Sequence, residues 1–228
     1  MSTEQIQDII KSRGITRLCH FVRTNKLLHI LKHPEGIRAS DFIPKDVFEA
    51  NDHKRLDRAT EYVNCSVEYP NYWYLKRIKH ENKVFEDWAI LFINTDIIRE
   101  ENSKFCVTNA ATKGGALIKS GAEAFKEIFD DRIAGSNHVS ARNQRKLKNA
   151  PTDDQAEILI YQNIPREYID GVVFESEDIA KDKLISWDIA GISNEYDIYI
   201  SKDLFCESVS RKVNAGIMPI IKKYTEEL

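Results

Sequence analysis

The feature of this sequence that most constrains its fold is a series of short apolar runs, each bounded by turn-forming or charged residues. Runs of about four to eight residues that are rich in β-branched and aromatic side chains are typical of β-strands. They occur at residues 17–22, 62–67, 87–94, 104–107, 156–161, 171–176, 184–188 and 196–200. Many short strands with few helices between them favour a mixed α+β domain over a doubly wound α/β fold.

Helical spacing of apolar residues is confined to a few segments. We predict helices at residues 2–12, 24–33, 116–131 and 209–228, with Thr24 or Asn25 as the N-cap of the second one. A double glycine, Gly114 and Gly115, precedes the third, but neither the GxxxxGK[S/T] nor the GxGxxG phosphate-binding pattern occurs.

Length and composition point to one globular domain over residues 1–228. The 228 residues can bury a sizeable core, and 42% hydrophobic with 30% charged residues is ordinary for a globular protein. No apolar run approaches membrane-spanning length, and the N-terminus lacks a signal-peptide core, so we expect a cytoplasmic protein. The four cysteines are far apart, without CxxC spacing or histidine pairing, which predicts reduced thiols and no structural metal.

Residues 151–165 place a carboxylate in an otherwise apolar strand. An acidic turn precedes Ile158, Leu159 and Ile160, and the period of two puts Gln155 and Glu157 on the same face of that strand. From the pattern alone, Glu157 is either a solvated carboxylate at an edge or a group held rigidly in a cleft.

Two further candidate groups stand nearer the N-terminus. His20 lies in the first strand, immediately before a strand-to-helix turn, and is either a satisfied core imidazole or a functional group. Arg55 and Arg58 are three residues apart in a long aperiodic segment. Paired guanidinium groups suit a diphosphate, although a solvated charged loop explains the same residues.

Aromatic and basic clusters suggest binding surfaces. Tyr69, Tyr72, Trp73 and Tyr74 surround the turn signal Pro70-Asn71, where they are either core residues or platforms for a nicotinamide, adenine or nucleobase ring. Residues 132–149 contain five cations and one histidine but no acid, in a protein of net charge −3. This predicts an anionic partner such as a nucleic-acid backbone, with a solvated basic helix as the alternative.

Taken in order, several segments resemble the DarT family of toxin ADP-ribosyltransferases, which modify bases of single-stranded DNA with NAD. The segments are LCHFVRTNKLLHIL (18–31), HKRLD (53–57), CSVEYPNYWYL (65–75), NAA (109–111) and PTDDQAEILIYQNIP (151–165). The RLD and YPN elements are more similar to the branch that modifies guanine than to the one that modifies thymine. Val22 stands where the family's first motif often has Thr, which leaves only backbone contacts from this position.

The resemblance implies an α+β ADP-ribosyltransferase-like fold with split central β-sheets of short, mostly antiparallel strands flanked by helices. It implies NAD as co-substrate, no metal, and catalysis by Glu157 and Arg55. The residues that it implies for NAD binding are His20, Phe21, Val22, Tyr69, Asn71 and Tyr74. The residues that it implies for DNA binding are Gln155, Arg58, Arg142, Arg145, Lys146 and Lys148.

The resemblance also implies a biological setting, namely a toxin–antitoxin system in phage defence. The expected partners are single-stranded DNA and an antitoxin of the macrodomain or NADAR type that removes the adduct. Two alternatives remain open: an NAD-dependent modifier of RNA or protein, and a non-catalytic nucleic-acid-binding module.

Overall fold

The computed structural model describes residues 3–43, 56–81, 87–99, 102–135, 139–192 and 196–225. Its strands within these ranges are β1 (Leu18–Arg23), β2 (Ile37–Arg38), β3 (Tyr62–Val67), β4 (Trp88–Ile93), β5 (Lys104–Cys106), β6 (Ile118–Ser120), β7 (Arg132–Ala134), β8 (Val139–Ala141), β9 (Glu157–Tyr161), β10 (Asn163–Ile164), β11 (Ile169–Phe174), β12 (Asp197–Ile200) and β13 (Lys222–Lys223). The α-helices are α1 (Thr3–Arg13), α2 (Leu27–Lys32), α3 (Tyr72–Glu81), α4 (Ala122–Glu127), α5 (Glu177–Ile189) and α6 (Ser208–Asn214), and short 3-10 helices lie between some of the elements.

Nine of these strands form one central sheet, in the order β13-β12-β11-β4-β1-β3-β9-β5-β6. Every neighbouring pair is antiparallel except β11 and β12. A parallel pair needs a crossover connection, and α5 supplies it between these two strands. This is the predicted mixed α+β architecture, a mostly antiparallel sheet flanked by helices.

The sheet splits in its middle, between β1 and β3. Strand β1 pairs with β4 from Leu18 through Arg23, but with β3 only at Leu18↔Val67 and Cys19↔Ser66. Beyond that point the backbone pairing of β1 and β3 ends, and the His20 side chain bridges the two strands. Its Nδ1 lies 2.9 Å from the Asn64 carbonyl oxygen. The divergence of these two strands opens a cleft into the sheet.

Apolar side chains fill both faces of the sheet. All six residues of β4 are buried. Leu91 and Ile93 belong to the core cluster that includes Leu27, whereas Ile90 and Phe92 belong to the cluster that includes Leu75. The alternation follows the strand period of two, so a continuous apolar run marks a strand that is covered on both sides.

Two of the predicted elements are wrong because short apolar runs do not distinguish a strand from a buried helix. Residues 116–131 are not one helix, since β6 comes first and Gly121, with a φ of 91°, separates it from α4. Residues 184–188 belong to α5, which begins at its N-cap Ser176 and buries Leu184 and Trp187 one turn apart.

The predicted C-terminal helix over residues 209–228 is also too long. Helix α6 ends at Asn214, and Gly216 then adopts a φ of 77° in close contact with the Arg145 carbonyl oxygen. The chain returns to the sheet as the edge strand β13, beside β12. None of the described helices has both the length and the apolar composition needed to cross a membrane.

Candidate active site

A cleft of about 470 Å³ lies at the split in the sheet. Its wall includes β1, β3, the start of β9 and the turn at residues 109–111, and it is completed by the segments around residues 25–30 and 36–43. The volume falls within the range that is usual for small-molecule sites. The cleft brings together six of the residues that the resemblance implicates: His20, Phe21, Val22, Asn71, Tyr74 and Glu157.

Glu157, the first residue of β9, is buried with 8% of its surface exposed. Its Oε2 accepts hydrogen bonds from the Ala110 backbone N–H (2.8 Å) and from Asn64 Nδ2 (3.2 Å), and its Oε1 accepts one from Asn109 Nδ2 (3.3 Å). A buried carboxylate is tolerated where polar donors replace water, and these donors also fix the direction of the carboxylate. The reading of Glu157 as a solvated edge residue is therefore wrong.

The turn that carries Asn109 and Ala110 is built locally. Asn109 Oδ1 accepts a hydrogen bond from the Ala111 backbone N–H at 3.1 Å, which turns the chain and directs the Ala110 N–H at Glu157. This self-bonding is the usual behaviour of Asn in turns. The NAA segment was part of the family resemblance, but its part in holding the carboxylate requires the tertiary structure.

Asn64 connects several groups of the cleft. Its Nδ2 donates to Glu157 Oε2 and, at 3.1 Å, to Asp57 Oδ2. Its carbonyl oxygen lies 2.9 Å from His20 Nδ1. Because a carbonyl oxygen only accepts, His20 donates from Nδ1 in this pair. This hydrogen bond fixes the orientation of the imidazole ring at the point where β1 and β3 diverge.

Helix α3 places a flat aromatic surface beside the cleft. Asn71 caps the helix, since its Oδ1 accepts a hydrogen bond from the Tyr74 backbone N–H at 3.0 Å. Tyr74 stacks on Phe21 with ring centroids 5.9 Å apart and an interplanar angle of 11°, and Arg77 lies 4.8 Å from the Tyr74 ring centroid. Tyr72, Trp73 and Tyr74 therefore form the first turn of α3.

Sequence reasoning overlooked several side chains of the cleft, three of which are polar or charged groups close to the site residues. Asp57 and Asn64 line it together with Arg38, which is tied to Glu35 Oε2 through Nε at 2.6 Å. Asp57 belongs to the RLD segment, in which the sequence pattern indicated a function only for the cations. Of these three residues, only Asn64 could have been recognised from the sequence, because it is a polar amide within a buried strand. Arg38 had none, because its surroundings show no periodicity.

The catalytic candidate Arg55 lies outside the described residues, as does His138. Arg58 is described, with a φ of 56°, but does not line the cleft. Tyr69 does not line it either: its ring is buried in the cluster that includes Leu75 and Trp88, and its hydroxyl donates to Asn149 Oδ1 at 3.4 Å. Burial raises the pKa of Tyr69 to about 12.

Gln155 precedes β9 instead of sharing a strand with Glu157. Its backbone N–H donates to Asp153 Oδ1 at 2.8 Å, which is an Asx turn, and the strand begins only at Glu157. The expected same-face alternation of the two side chains is wrong. A role for Gln155 in contacting the acceptor base stays a prediction.

In the described part of the basic region, β7 pairs with β8 and turns follow, so it is not a helix, and two of its cations are used internally. Arg142 donates to the Ala150 and Leu147 carbonyl oxygens, both at 2.8 Å. Lys146 is buried and bonds Asp154 Oδ1 at 2.7 Å. Arg145 and Lys148 are exposed. Arg142 and Lys146 therefore stabilise the loop before β9, while Arg145 and Lys148 present their charge to the exterior.

Thiol chemistry is disfavoured at this cleft. Cys19 and Cys65 line it, but burial raises the pKa of Cys19 to about 12 and raises that of Cys65 as well. Because the thiolate is the nucleophilic form, neither group is prepared to attack a substrate. Among the residues described, no cluster of His, Cys, Asp and Glu side chains has the arrangement of a metal site.

Solved structures of DarT proteins share this fold. Thermus sp. 2.9 DarT in complex with NAD+ matches at 16% identity with a TM-score of 0.59, over 84% of this chain and 98% of that one. The same protein in complex with ADP-ribosylated ssDNA matches at 14% identity with a TM-score of 0.59, over 85% and 97%. Thermosipho africanus DarTG in complex with ADP-ribose matches at 14% identity with a TM-score of 0.56, over 83% and 51%.

At these identities the likeness establishes the fold, which is that of the DarT-like ADP-ribosyltransferases. This chain spans nearly the whole Thermus protein but about half of the Thermosipho DarTG chain. Comparison with curated protein sequences gives no match.

The family follows from the sequence itself. The family described as "ssDNA thymidine ADP-ribosyltransferase, DarT" matches residues 19–205, which is most of the chain. The protein therefore belongs to the DarT family.

Proposed function

We propose that this chain transfers ADP-ribose from NAD to a nucleobase of single-stranded DNA and releases nicotinamide. The observation that carries the proposal is Glu157, a buried carboxylate fixed by three donors at the wall of a 470 Å³ cleft. Membership of the DarT family gives this cleft its expected substrates.

The residues of the cleft suit NAD as a substrate. Breaking the bond between nicotinamide and ribose develops positive charge on the sugar, which a fixed carboxylate stabilises in a site that excludes water. Glu157 would accept a hydrogen bond from a ribose hydroxyl there. The stacked pair of Phe21 and Tyr74 offers a flat face to the nicotinamide ring. His20 would orient the nicotinamide half of the substrate, and backbone groups of Phe21 and Val22 would bind its amide.

The diphosphate of NAD needs cationic donors. Arg38 lines the cleft, and its guanidinium group could bind a phosphate oxygen in exchange for, or beside, its contacts with Glu35 and His33. Arg55, the residue that the family resemblance implicates in catalysis, would bind the diphosphate and hold the acceptor nucleotide. Arg38 and Arg55 are therefore our two candidates for this role.

The DNA strand would approach from the side of the loop before β9. Arg145 and Lys148 present charge there, and Gln155 lies at the end of that loop beside Glu157. We assign the base contact to Gln155 and backbone contacts to Arg145, Lys148 and Arg58. For Arg142 and Lys146 the internal bonds favour a supporting role in the same surface.

The proposal extends to the acceptor base and the setting. The RLD and YPN elements favour guanine as the base. The chain would act in the cytoplasm as the toxin of a toxin–antitoxin pair, with an ADP-ribosyl-DNA hydrolase of the macrodomain or NADAR type as its antitoxin. A DarTG protein among the structural neighbours supports the pairing.

A panel of single-stranded oligonucleotides tests the reaction and the base together. We expect incubation with NAD to add one ADP-ribose mass to oligonucleotides that contain guanine, and fragmentation to locate the adduct on that base. Matched RNA oligonucleotides and a protein mixture serve as competing acceptors. Adducts on thymine alone would change the base assignment, and labelling of RNA or protein with unmodified DNA would contradict DNA as the acceptor.

Salt-dependent binding tests the DNA surface. Replacing Arg145 and Lys148 together by Ala should weaken binding of single-stranded DNA and reduce the slope of log K against log salt by about 1.4, since each phosphate contact contributes about 0.7. The control replaces Lys181 and Lys202, which are exposed and lie elsewhere in the chain. An unchanged slope in the first variant would remove these residues from the DNA path.

A further inference from the structure

Asp57 places a second carboxylate next to Glu157. It is 6% exposed and lines the same cleft. Its Oδ2 and Glu157 Oε2 accept hydrogen bonds from one and the same atom, Asn64 Nδ2, at 3.1 and 3.2 Å. The two carboxylates are therefore neighbours in space, although 100 positions separate them in the sequence.

The backbone around Asp57 is held firmly in this position. Its Oδ1 accepts a hydrogen bond from the Ala59 backbone N–H at 3.2 Å, which closes a turn. Gly115, with a φ of 89°, packs on the same residue, because a Cβ at that position would lie 2.4 Å from the Asp57 carbonyl oxygen. Gly115, the second residue of the double glycine that matches no phosphate-binding pattern, thus lets one loop approach the backbone of the acidic residue.

The proposed reaction requires more of a carboxylate than Glu157 can supply. A carboxylate has about four acceptor positions, and the protein fills at least three of them on Glu157. A ribose hydroxyl would take up the remaining capacity or displace one of these donors. The attacking base nitrogen must also lose a proton, so a second acceptor is needed within reach of the first.

We propose that Asp57 is the general base of the transfer step, while Glu157 stabilises the ribose. This inference rests on the proposed function. The bond between ribose C1′ and the nicotinamide nitrogen breaks, and its electron pair leaves with neutral nicotinamide. The base nitrogen forms the new bond to C1′ with its lone pair, and the Asp57 carboxylate takes the proton from that nitrogen and passes it to solvent.

The experiment separates binding of NAD from transfer to DNA. For Asp57→Asn we expect a kcat for DNA transfer about 10²-fold lower, within the usual contribution of a general base, and a Kd for NAD within threefold of the wild type. Asp57→Glu keeps the carboxylate and should recover at least a tenth of the wild-type rate. A purely structural role would depend on the size of the side chain, which Asn preserves and Glu does not, so it does not predict this recovery.

The outcomes distinguish this inference from the proposed function. Transfer by Asp57→Asn within threefold of the wild type would overturn the role of Asp57. So would a Kd for NAD that weakens in proportion to the lost rate, or a loss that Asp57→Glu does not restore. If the wild-type protein binds NAD but modifies no DNA, the proposed function is overturned, and the role of Asp57 in that transfer is overturned with it.

Discussion

Replacing Glu157 by Gln should lower the rate of ADP-ribose transfer about 10³-fold while leaving the protein folded. The change removes the negative charge that faces the developing positive charge on the ribose, and groups of this kind are commonly worth about 10² to 10³ in rate. The isosteric amide keeps an acceptor for the Ala110 N–H. The measurement is the kcat for oligonucleotide modification, followed by mass spectrometry.

A matched control makes the loss specific. Glu167→Gln carries out the same chemical change on an exposed residue of the short helix Arg166–Tyr168, and it should transfer at the wild-type rate. Thermal melting of both variants checks the fold. If Glu157→Gln retains more than a tenth of the wild-type activity, the carboxylate is not the group that stabilises the ribose.

The second large effect is on stability, at the junction of the split sheet. Glu68 is 2% exposed and has a φ of 61°, directly after the last residue of β3. Its Oε2 accepts a hydrogen bond from the Thr16 backbone N–H at 2.6 Å, and its Oε1 accepts from Thr16 Oγ1 and Arg17 Nη2 at 2.9 and 3.2 Å. These bonds hold the segment before β1 against the end of β3, where the two halves of the sheet join.

Glu68→Gln should lower the free energy of unfolding by about 2–3 kcal/mol. The change leaves buried donors without a charged acceptor and places an amide N–H₂ against one of them. Because Arg17 is partly exposed, the expected loss is smaller than for a fully buried ion pair. For a chain of this length we expect a Tm lower by about 5–10 °C. Differential scanning calorimetry gives the value.

Glu61, an exposed residue directly before β3, provides the control substitution. Glu61→Gln makes the same substitution at the other end of β3 and should leave Tm within about 1 °C of the wild type. Equal shifts in the two variants would show that Glu68 does not hold the junction. We also expect Glu68→Gln to bind NAD more weakly, because the cleft begins two residues from the junction.

The strands were the most predictable part of the fold. A run such as Trp88–Ile93 is apolar throughout and bounded by charged and polar residues, and the structure has a strand there that is buried on both faces. The run at residues 184–188 has a similar composition but lies in α5. Local composition reports burial, and only the neighbours in space decide whether a buried segment is a strand or a helix.

The sequence by itself determined the family and the mixed α+β class, and the family resemblance predicted a site with Glu157, His20 and Tyr74, which line one cleft in the structure. It determined these because ordered motifs and strand patterns are local properties of the chain. The tertiary structure alone decided that Asn64 joins Glu157 to Asp57, and that Arg142 and Lys146 are used inside their loop. Such bonds depend on where β1 and β3 part, and strand pairing between distant segments leaves no signal in either segment alone.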